Sequence, residues 1–183
     1  MLSEKRQNEV IRLCQALVQK QSYSGHEGDA AAELESFFKK SGYDEVTVDE
    51  YGNTIGHIKG SRPGKKILFD GHLDTVEVTD PALWDHDPFA AEIHDGKIYG
   101  RGTSDMKGSL AAMACAAANF AADTNRDFAG DIYVAGVVHE ECFEGVAARK
   151  ISSLVSPDYV VIGEASQLNI KIGQRGRAEI IIE

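Results

Sequence analysis

Residues 67–75 read Ile-Leu-Phe-Asp-Gly-His-Leu-Asp-Thr, a short apolar run that ends in polar residues. Two later apolar runs, 132–138 and 159–162, are also followed within a few residues by glutamates. Short apolar runs separated by helical segments predict buried strands of a mainly parallel sheet. Because the carboxyl ends of parallel strands meet at one edge of a sheet, we expect the polar residues after these three runs to converge there.

The residues expected to converge are one imidazole and several carboxylates. They are His72 and Asp74 after the first run, Glu140 and Glu141 after the second, Glu164 after the third, and Asp105 at the expected start of an alanine-rich helix. Imidazole and carboxylate groups are common ligands of catalytic zinc. The sequence therefore predicts a carboxylate-rich metal site, which is typical of a metal-dependent hydrolase.

The chain has 183 residues, enough for one domain that buries roughly 70% of its unfolded surface. Its 19 basic and 29 acidic residues give a formal net charge of −10, which argues against nucleic acid or an anionic membrane as a partner. The three cysteines are scattered without a C-x-x-C spacing, so we expect reduced thiols and a cytoplasmic protein. The longest apolar stretch, 110–118, is too short to span a bilayer.

From residue 66 onward, predicted strands and helices alternate, which indicates crossover connections and helices on both faces of the sheet. We therefore expect an α/β fold, a three-layer α/β/α sandwich with a mainly parallel mixed sheet. The other predicted elements are a helix over about 4–20, a second helix between a capping box of Ser24 and Glu27 and its end at Gly42, a hairpin of 45–49 and 53–58, a turn at 62–64, helices at about 105–121 and 145–154, and strands at 169–172 and 178–182.

Each candidate ligand has a simpler interpretation when it is taken alone. His72 and Asp74 point to the same side of an extended chain, so Asp74 could accept the second ring proton of a metal-bound imidazole, but both could also be solvated turn residues. Asp105 is favoured at a helix start without any metal. If the backbone after the second run is extended, Glu140 and Glu141 point opposite ways, one towards a metal and one towards a water. Taken alone, the pair is more typical of the start of a solvated helix.

Four segments follow one another in a defined order. They are Gly71-His72-Leu73-Asp74-Thr75, the glycine-rich stretch 100–108, the pair Glu140-Glu141 and the pair Gly163-Glu164. In this order they resemble the co-catalytic zinc metallopeptidases that include acetylornithine deacetylase, succinyl-diaminopimelate desuccinylase, glutamate carboxypeptidase and aminoacylase. The resemblance covers the chain from about residue 5 to the end. It implies a zinc-exopeptidase-like fold that hydrolyses the amide bond of an N-acyl amino acid or short peptide.

The resemblance also implies two Zn²⁺ ions, for which Co²⁺ or Mn²⁺ could substitute, and a role for each candidate residue. In that interpretation His72 and Glu164 bind one ion, Glu141 binds the other, Asp105 bridges both, Asp74 orients the imidazole, and Glu140 is the general base that takes a proton from the metal-activated water. The peptide bond between residues 105 and 106 is expected to be cis.

Two features of the family are missing from this sequence. Relatives supply a further histidine to the second zinc from far downstream, whereas no histidine follows His139 here. Relatives also insert a lid domain, often used for dimerisation, near the position of residues 174–183. We therefore expect 1–173 to be the N-terminal part of the catalytic domain and 174–183 to begin a missing lid. The second metal site would be incomplete, this chain alone inactive, and the longer protein a homodimer.

Two other functions stay open at this point. A zinc aminopeptidase or dipeptidase uses a similar ligand set, although a glutamate at position 164 favours the deacylase and carboxypeptidase branch. A non-catalytic metal-binding or assembly domain would keep the fold without turnover.

Overall fold

The computed structural model describes residues 2–143 and 145–173. The strands are β1 (Glu45–Val48), β2 (Thr54–Lys59), β3 (Arg62–His72), β4 (Glu92–His94), β5 (Lys97–Tyr99), β6 (Ala129–Val137) and β7 (Tyr159–Ile162). The helices are α1 (Glu4–Val18), α2 (Gly28–Lys40), α3 (Gly108–Asp123), α4 (Glu140–Phe143) and α5 (Val146–Val155).

Five strands form one mixed sheet in the order β1-β2-β6-β3-β7. Strand β3 pairs in parallel with β6 on one side and with β7 on the other. The β1–β2 hairpin adds to β6 in the antiparallel sense, as the turn between its strands allows. The carboxyl ends of β3, β6 and β7 therefore meet at one edge, as the three apolar runs predicted.

Helices cover both faces of this sheet, and alternate residues of each strand face opposite layers. Phe69 and Val134 pack with the apolar faces of α1, α2 and α3. Leu68 and Ala135, one position along each strand, pack instead with α5. The fold is the predicted three-layer α/β/α sandwich. Among residues 2–143 and 145–173, no helix combines the length and apolar character that a bilayer crossing requires.

A predicted turn and a predicted strand were wrong. Residues 62–64, predicted as a turn, are the first residues of β3, and the pairing of β3 with β6 shifts register between Arg62 and Lys66. Proline is tolerated at a strand start or beside a bulge, so long-range pairing prevails over the local turn signal. Residues 169–172, predicted as a strand, are not in a strand. The predicted strand at 178–182 lies outside the described residues.

The connection between β3 and α3 contains a short 3₁₀ turn (Pro81–Leu83), the separate β4–β5 hairpin and a five-residue turn (Thr103–Lys107). Helix α3 begins three residues later than Asp105, whose backbone is not helical (φ −127°, ψ 95°). The prediction that Asp105 lies at the helix start was therefore wrong. The peptide bond between Asp105 and Met106 is cis, as expected.

Candidate metal centre

His72 lies at the carboxyl end of β3 and forms the floor of the candidate site, because its side chain is only 2% exposed. Its Nδ1 atom lies 2.9 Å from the backbone carbonyl oxygen of Asp74. Its Nε2 atom lies 3.0 Å from Oδ1 of Asp105 and 3.4 Å from Oε1 of Glu164. Since β7 pairs in parallel with β3, Glu164 arrives beside His72 from the neighbouring strand.

Asp74 is fully buried beneath the site, where its carboxylate accepts several hydrogen bonds. The backbone N–H groups of Glu140 and Glu141 donate to it at 3.1 and 3.0 Å, and the Ser24 hydroxyl donates at 2.7 Å. The Asp74 carboxylate lies 3.5 Å from Nδ1 of His72. Asp74 thus connects three segments that are far apart in the sequence.

The pair Glu140-Glu141 lies in a different backbone conformation from the extended one that was considered. Strand β6 ends at Val137, and the two glutamates begin the helical turn α4. The first N–H groups of a helical turn have no partner within the turn. Here the Asp74 carboxylate accepts hydrogen bonds from the N–H groups of both glutamates. The alternation of side chains expected for a strand therefore does not apply to this pair.

The predicted capping box at Ser24 was also wrong, because its hydroxyl is committed to Asp74. Glu27 occupies the N-cap position of α2 itself, and its side chain makes no bond to that helix. The Oε1 atom of Glu27 instead accepts N–H bonds from Gly25 at 2.9 Å and from His139 at 3.0 Å. The loop before α2 therefore supports the backbone that leads into α4.

The structure brings together the residues that the sequence singled out. One ligand atom from each of His72, Asp105 and Glu141 lies within 4.8 Å of the other two. The side chains of Asp105 and Glu164 are 60% and 44% exposed, so carboxylates line an open rim above the buried imidazole. Glu140 adjoins Glu141 on α4, and its carboxyl is close enough to His72 and Glu164 to be affected by their charges.

The electrostatics of the site favour a positive charge at its centre. Burial alone would lower the pKa of His72, but hydrogen bonds with Asp74 and Glu164 raise it to about 11. Burial raises the pKa of Glu140, and the charge of His72 opposes that rise. Burial and the Asp105 charge raise the pKa of Glu141. An imidazole nitrogen and several carboxylate oxygens within this space form a donor set that suits a divalent cation such as Zn²⁺.

Glycines immediately before two of the candidate ligands allow close packing under the site. A Cβ atom at Gly71 would lie 2.7 Å from Cε of Met106, and one at Gly163 would lie 2.6 Å from Cε of Met113. These distances are shorter than van der Waals contact, so a Cβ atom at either glycine would displace the end of a methionine side chain. The methionines thereby pack against the ends of β3 and β7.

Lys107 is a residue of this region that sequence reasoning missed. Its side chain is fully buried, and Nζ donates to the carbonyl oxygens of Leu17 at 3.0 Å and Lys20 at 2.9 Å. Burial lowers the pKa of this amine to about 8. Its backbone N–H donates to Gly102, which closes the turn that carries Asp105. A lysine in a glycine-rich stretch gave no local signal of burial.

Comparison with known proteins places this chain in a peptidase family. The model of peptidase family M20/M25/M40 matches residues 68–179. Succinyl-diaminopimelate desuccinylase 2 of Ruegeria sp. (strain TM1040) is 33% identical over 184 aligned residues, covering 94% of this chain and 46% of that protein. The chain thus spans less than half the length of this curated relative.

Solved structures share the fold at lower sequence identity. The M20 family metallo-carboxypeptidase Sso-CP2 from Sulfolobus solfataricus superposes with a TM-score of 0.71 at 22% identity, covering 88% of this chain and 37% of that one. The YXEP protein of Bacillus subtilis, described as a dinuclear metal binding peptidase from the M20 family, has a TM-score of 0.61 at 18% identity, covering 83% and 40%. The family match spans most of the chain and includes the ends of β3, β6 and β7. The resemblance inferred from the four segments is confirmed, and the chain belongs to peptidase family M20/M25/M40.

Proposed function

We propose that the protein to which this chain belongs is a zinc-dependent hydrolase that cleaves an amide bond of an N-acyl amino acid or small peptide, in the manner of a deacylase or carboxypeptidase. The observation that supports this most strongly is the convergence of His72, Asp105 and Glu141, with Glu164 3.4 Å from the imidazole. These residues come from four separate segments. The desuccinylase relative and the metallo-carboxypeptidase neighbour support the same class of reaction.

His72 and Glu164 would hold one Zn²⁺, Glu141 would hold a second, and Asp105 would bind both. Co²⁺ or Mn²⁺ could take the same oxygen and nitrogen ligands. When bound, such ions lower the pKa of water and polarise a carbonyl group. The YXEP protein of Bacillus subtilis, described as a dinuclear metal binding peptidase, supports a site for two ions. We propose that the remaining ligand of the second ion comes from a segment of a longer chain.

The chain's own residues prepare this site for proton transfer. The contact of His72 Nδ1 with the Asp74 carbonyl suits a tautomer that carries its proton on Nδ1, which leaves Nε2 free to bind a metal. Glu140 would accept a proton from the attacking water and return it to the nitrogen of the leaving amine. Oδ1 of Asp74 accepts a hydrogen bond from the Glu140 backbone N–H at 3.1 Å. Asp74 would therefore position the Glu140 carboxylate without touching the substrate.

Zinc content tests the shared site directly. The purified 183-residue chain should bind zinc, and both Asp105→Ala and Glu164→Ala should lower the bound zinc while the far-UV circular dichroism stays unchanged. Glu4→Ala is the matched control, because Glu4 is exposed at the start of α1 and belongs to neither the β3 nor the β7 edge. If both site variants keep the zinc of the parent, the shared site is refuted.

The role of Glu140 is tested in the complete protein. Glu140→Gln should keep its zinc and lose about 10²- to 10⁴-fold in kcat, the usual contribution of a positioned general base. An unchanged kcat with zinc retained would contradict the assignment and would favour a non-catalytic metal-binding domain. Cleavage of a free-amine dipeptide in preference to its N-acetylated form would favour an aminopeptidase or dipeptidase.

We propose the domain division in the same terms. Residues 1–173 would form the N-terminal part of the catalytic domain, and 174–183, which lie outside the described residues, would lead into a lid that also dimerises. The three cysteines without disulfide partners suit a cytoplasmic protein. The 183 residues alone should show little or no hydrolysis, and appreciable chelator-sensitive hydrolysis by them would contradict that expectation.

A further inference from the structure

A second cluster of metal-binding side chains lies outside the candidate centre. His86, Glu92 and His94 each offer one ligand atom, and these atoms lie within 4.8 Å of one another. A nitrogen of each imidazole lies within hydrogen-bond distance of the same carboxylate oxygen. Oε2 of Glu92 is 3.0 Å from Nδ1 of His86 and 2.8 Å from Nε2 of His94. None of these residues is among the candidate ligands at the ends of β3, β6 and β7.

The local fold builds this cluster. Glu92 and His94 are two residues apart on β4, so their side chains leave the same face of the strand. The rings of His86 and His94 stack with centroids 4.4 Å apart and planes inclined by 22°. Tyr99, which pairs with Glu92 across the hairpin, places its ring 4.3 Å from that of His86. Stacking thus keeps the two imidazoles next to each other, and the two hydrogen-bond distances place one nitrogen of each beside the carboxylate.

We propose that His86, Glu92 and His94 form a separate zinc site that joins the loop after β3 to the β4–β5 hairpin. Two imidazoles and one carboxylate, with water as a fourth ligand, match the ligand number that tetrahedral zinc accepts. Zinc bonds of about 2.0–2.2 Å place neighbouring ligand atoms about 3.3–3.5 Å apart. The separations of 2.8 and 3.0 Å are a few tenths of an ångström shorter, and Glu92, 44% exposed, has room to move outward.

A metal at this position would stabilise the connection between β3 and α3, which carries Asp105. His86 belongs to the loop that contains Trp84 and Pro88. The Arg101 guanidinium lies over the Trp84 ring at 5.1 Å, and the Arg101 N–H donates to the Pro88 carbonyl at 2.7 Å. Arg101 leads directly into the turn of Asp105. Zinc at the cluster would therefore hold the loop that supports this turn, and it would not take part in proton transfer.

The experiment must separate this site from the candidate centre. We would use the double variant Asp105→Ala/Glu141→Ala as the starting protein, because it lacks two residues of the first site and none of the second. Its zinc affinity would be measured by competition with a chromophoric zinc chelator. We expect about one zinc per chain in this background, and addition of His94→Ala should weaken binding by at least about 100-fold, since even outer-sphere partners contribute about 10- to 100-fold.

Two further variants make the result specific. Glu92→Gln keeps the size of the side chain and should also weaken zinc binding, whereas His26→Ala removes an exposed histidine outside the cluster and should not. Circular dichroism checks that each variant is folded. The proposal is overturned if the starting variant binds no zinc, or if His94→Ala and Glu92→Gln bind it as tightly as their parent. Either outcome is independent of whether the protein is a hydrolase.

Discussion

The Asp74→Asn variant tests whether one buried carboxylate holds the site together. Asp74 is fully buried and accepts N–H bonds from Glu140 and Glu141 and an O–H bond from Ser24. An asparagine keeps the size of the side chain but replaces one acceptor oxygen by an NH₂ donor. The two backbone N–H groups bond to different carboxylate oxygens. Whichever oxygen is replaced, the new NH₂ group would therefore face a buried backbone N–H group.

The expected loss follows from these contacts. Leaving one buried N–H group without a partner costs about 1–3 kcal/mol, and hydrogen bonds to a charged acceptor are worth about 1.5–3 kcal/mol against about 1 kcal/mol for neutral ones. Allowing for relaxation around Ser24, we expect the free energy of unfolding to fall by about 3 kcal/mol. This loss is between about a fifth and three fifths of a typical domain's stability of about 5–15 kcal/mol, and it follows from the exchange of one atom.

Urea denaturation in the presence of EDTA at pH 7 measures this loss without any contribution from bound metal. Asp85→Asn is the control, because the same exchange at an exposed position should change the free energy of unfolding by less than about 0.5 kcal/mol. A loss below about 1 kcal/mol for Asp74→Asn would refute the view that Asp74 supports α4.

The pH dependence of the free energy of unfolding gives an independent check on the direction of the Asp74 pKa shift. Burial alone would raise the pKa of Asp74, but hydrogen bonds from His72, Ser24 and the backbone of Glu141 and Glu140 lower it overall. A carboxyl whose pKa is lowered in the folded state stabilises the fold above its unfolded pKa of about 3.9 and loses that contribution as the pH falls through the folded value. The stability difference between parent and variant should therefore narrow below about pH 4. A constant difference down to pH 3 would contradict an ionised Asp74.

Two further predictions concern backbone strain and thiol reactivity. Gly130→Ala should lower the free energy of unfolding by about 3 kcal/mol, because φ is +90° and a Cβ would collide with the backbone of β3. Gly96→Ala, with φ +72° and no atom within 4 Å of the new Cβ, should cost only about 1 kcal/mol in the same urea assay, so equal losses would exclude the collision. Burial raises the pKa of the Cys14 thiol to about 11 and that of Cys115 to about 12, whereas Cys142 is exposed. Iodoacetamide at pH 8 should therefore alkylate only Cys142 in the folded chain, and mass spectrometry that found a second modified cysteine before denaturation would contradict their burial.

Most strands and helices could be predicted because their patterns are local. The apolar runs 67–69, 132–138 and 159–162 indicated β3, β6 and β7 without reference to the rest of the chain. The turn predicted at residues 62–64 was wrong for the opposite reason. Their Pro-Gly sequence favours a turn, but pairing with β6 extends the strand through them, and that pairing depends on a distant part of the sequence.

The candidate site shows the same division. The residue types and their order along the chain indicated which side chains could bind a metal, and parallel strands indicated where they would meet. The supporting contacts could not be predicted in this way. Asp74 and the Glu140 N–H are 66 positions apart, and Lys107 and the Leu17 carbonyl are 90 apart, so no local pattern records either hydrogen bond.

The sequence by itself determined most of the longer elements, the parallel sense of three strands and the set of possible ligands, because hydrophobic periodicity and residue chemistry are properties of short segments. The tertiary structure alone decided that β6 lies between β2 and β3, that Asp74 supports the turn of Glu140, and that His86 and His94 share Glu92. These arrangements depend on which surfaces bury one another and which distant polar groups then become partners. That choice is made by the folded chain as a whole.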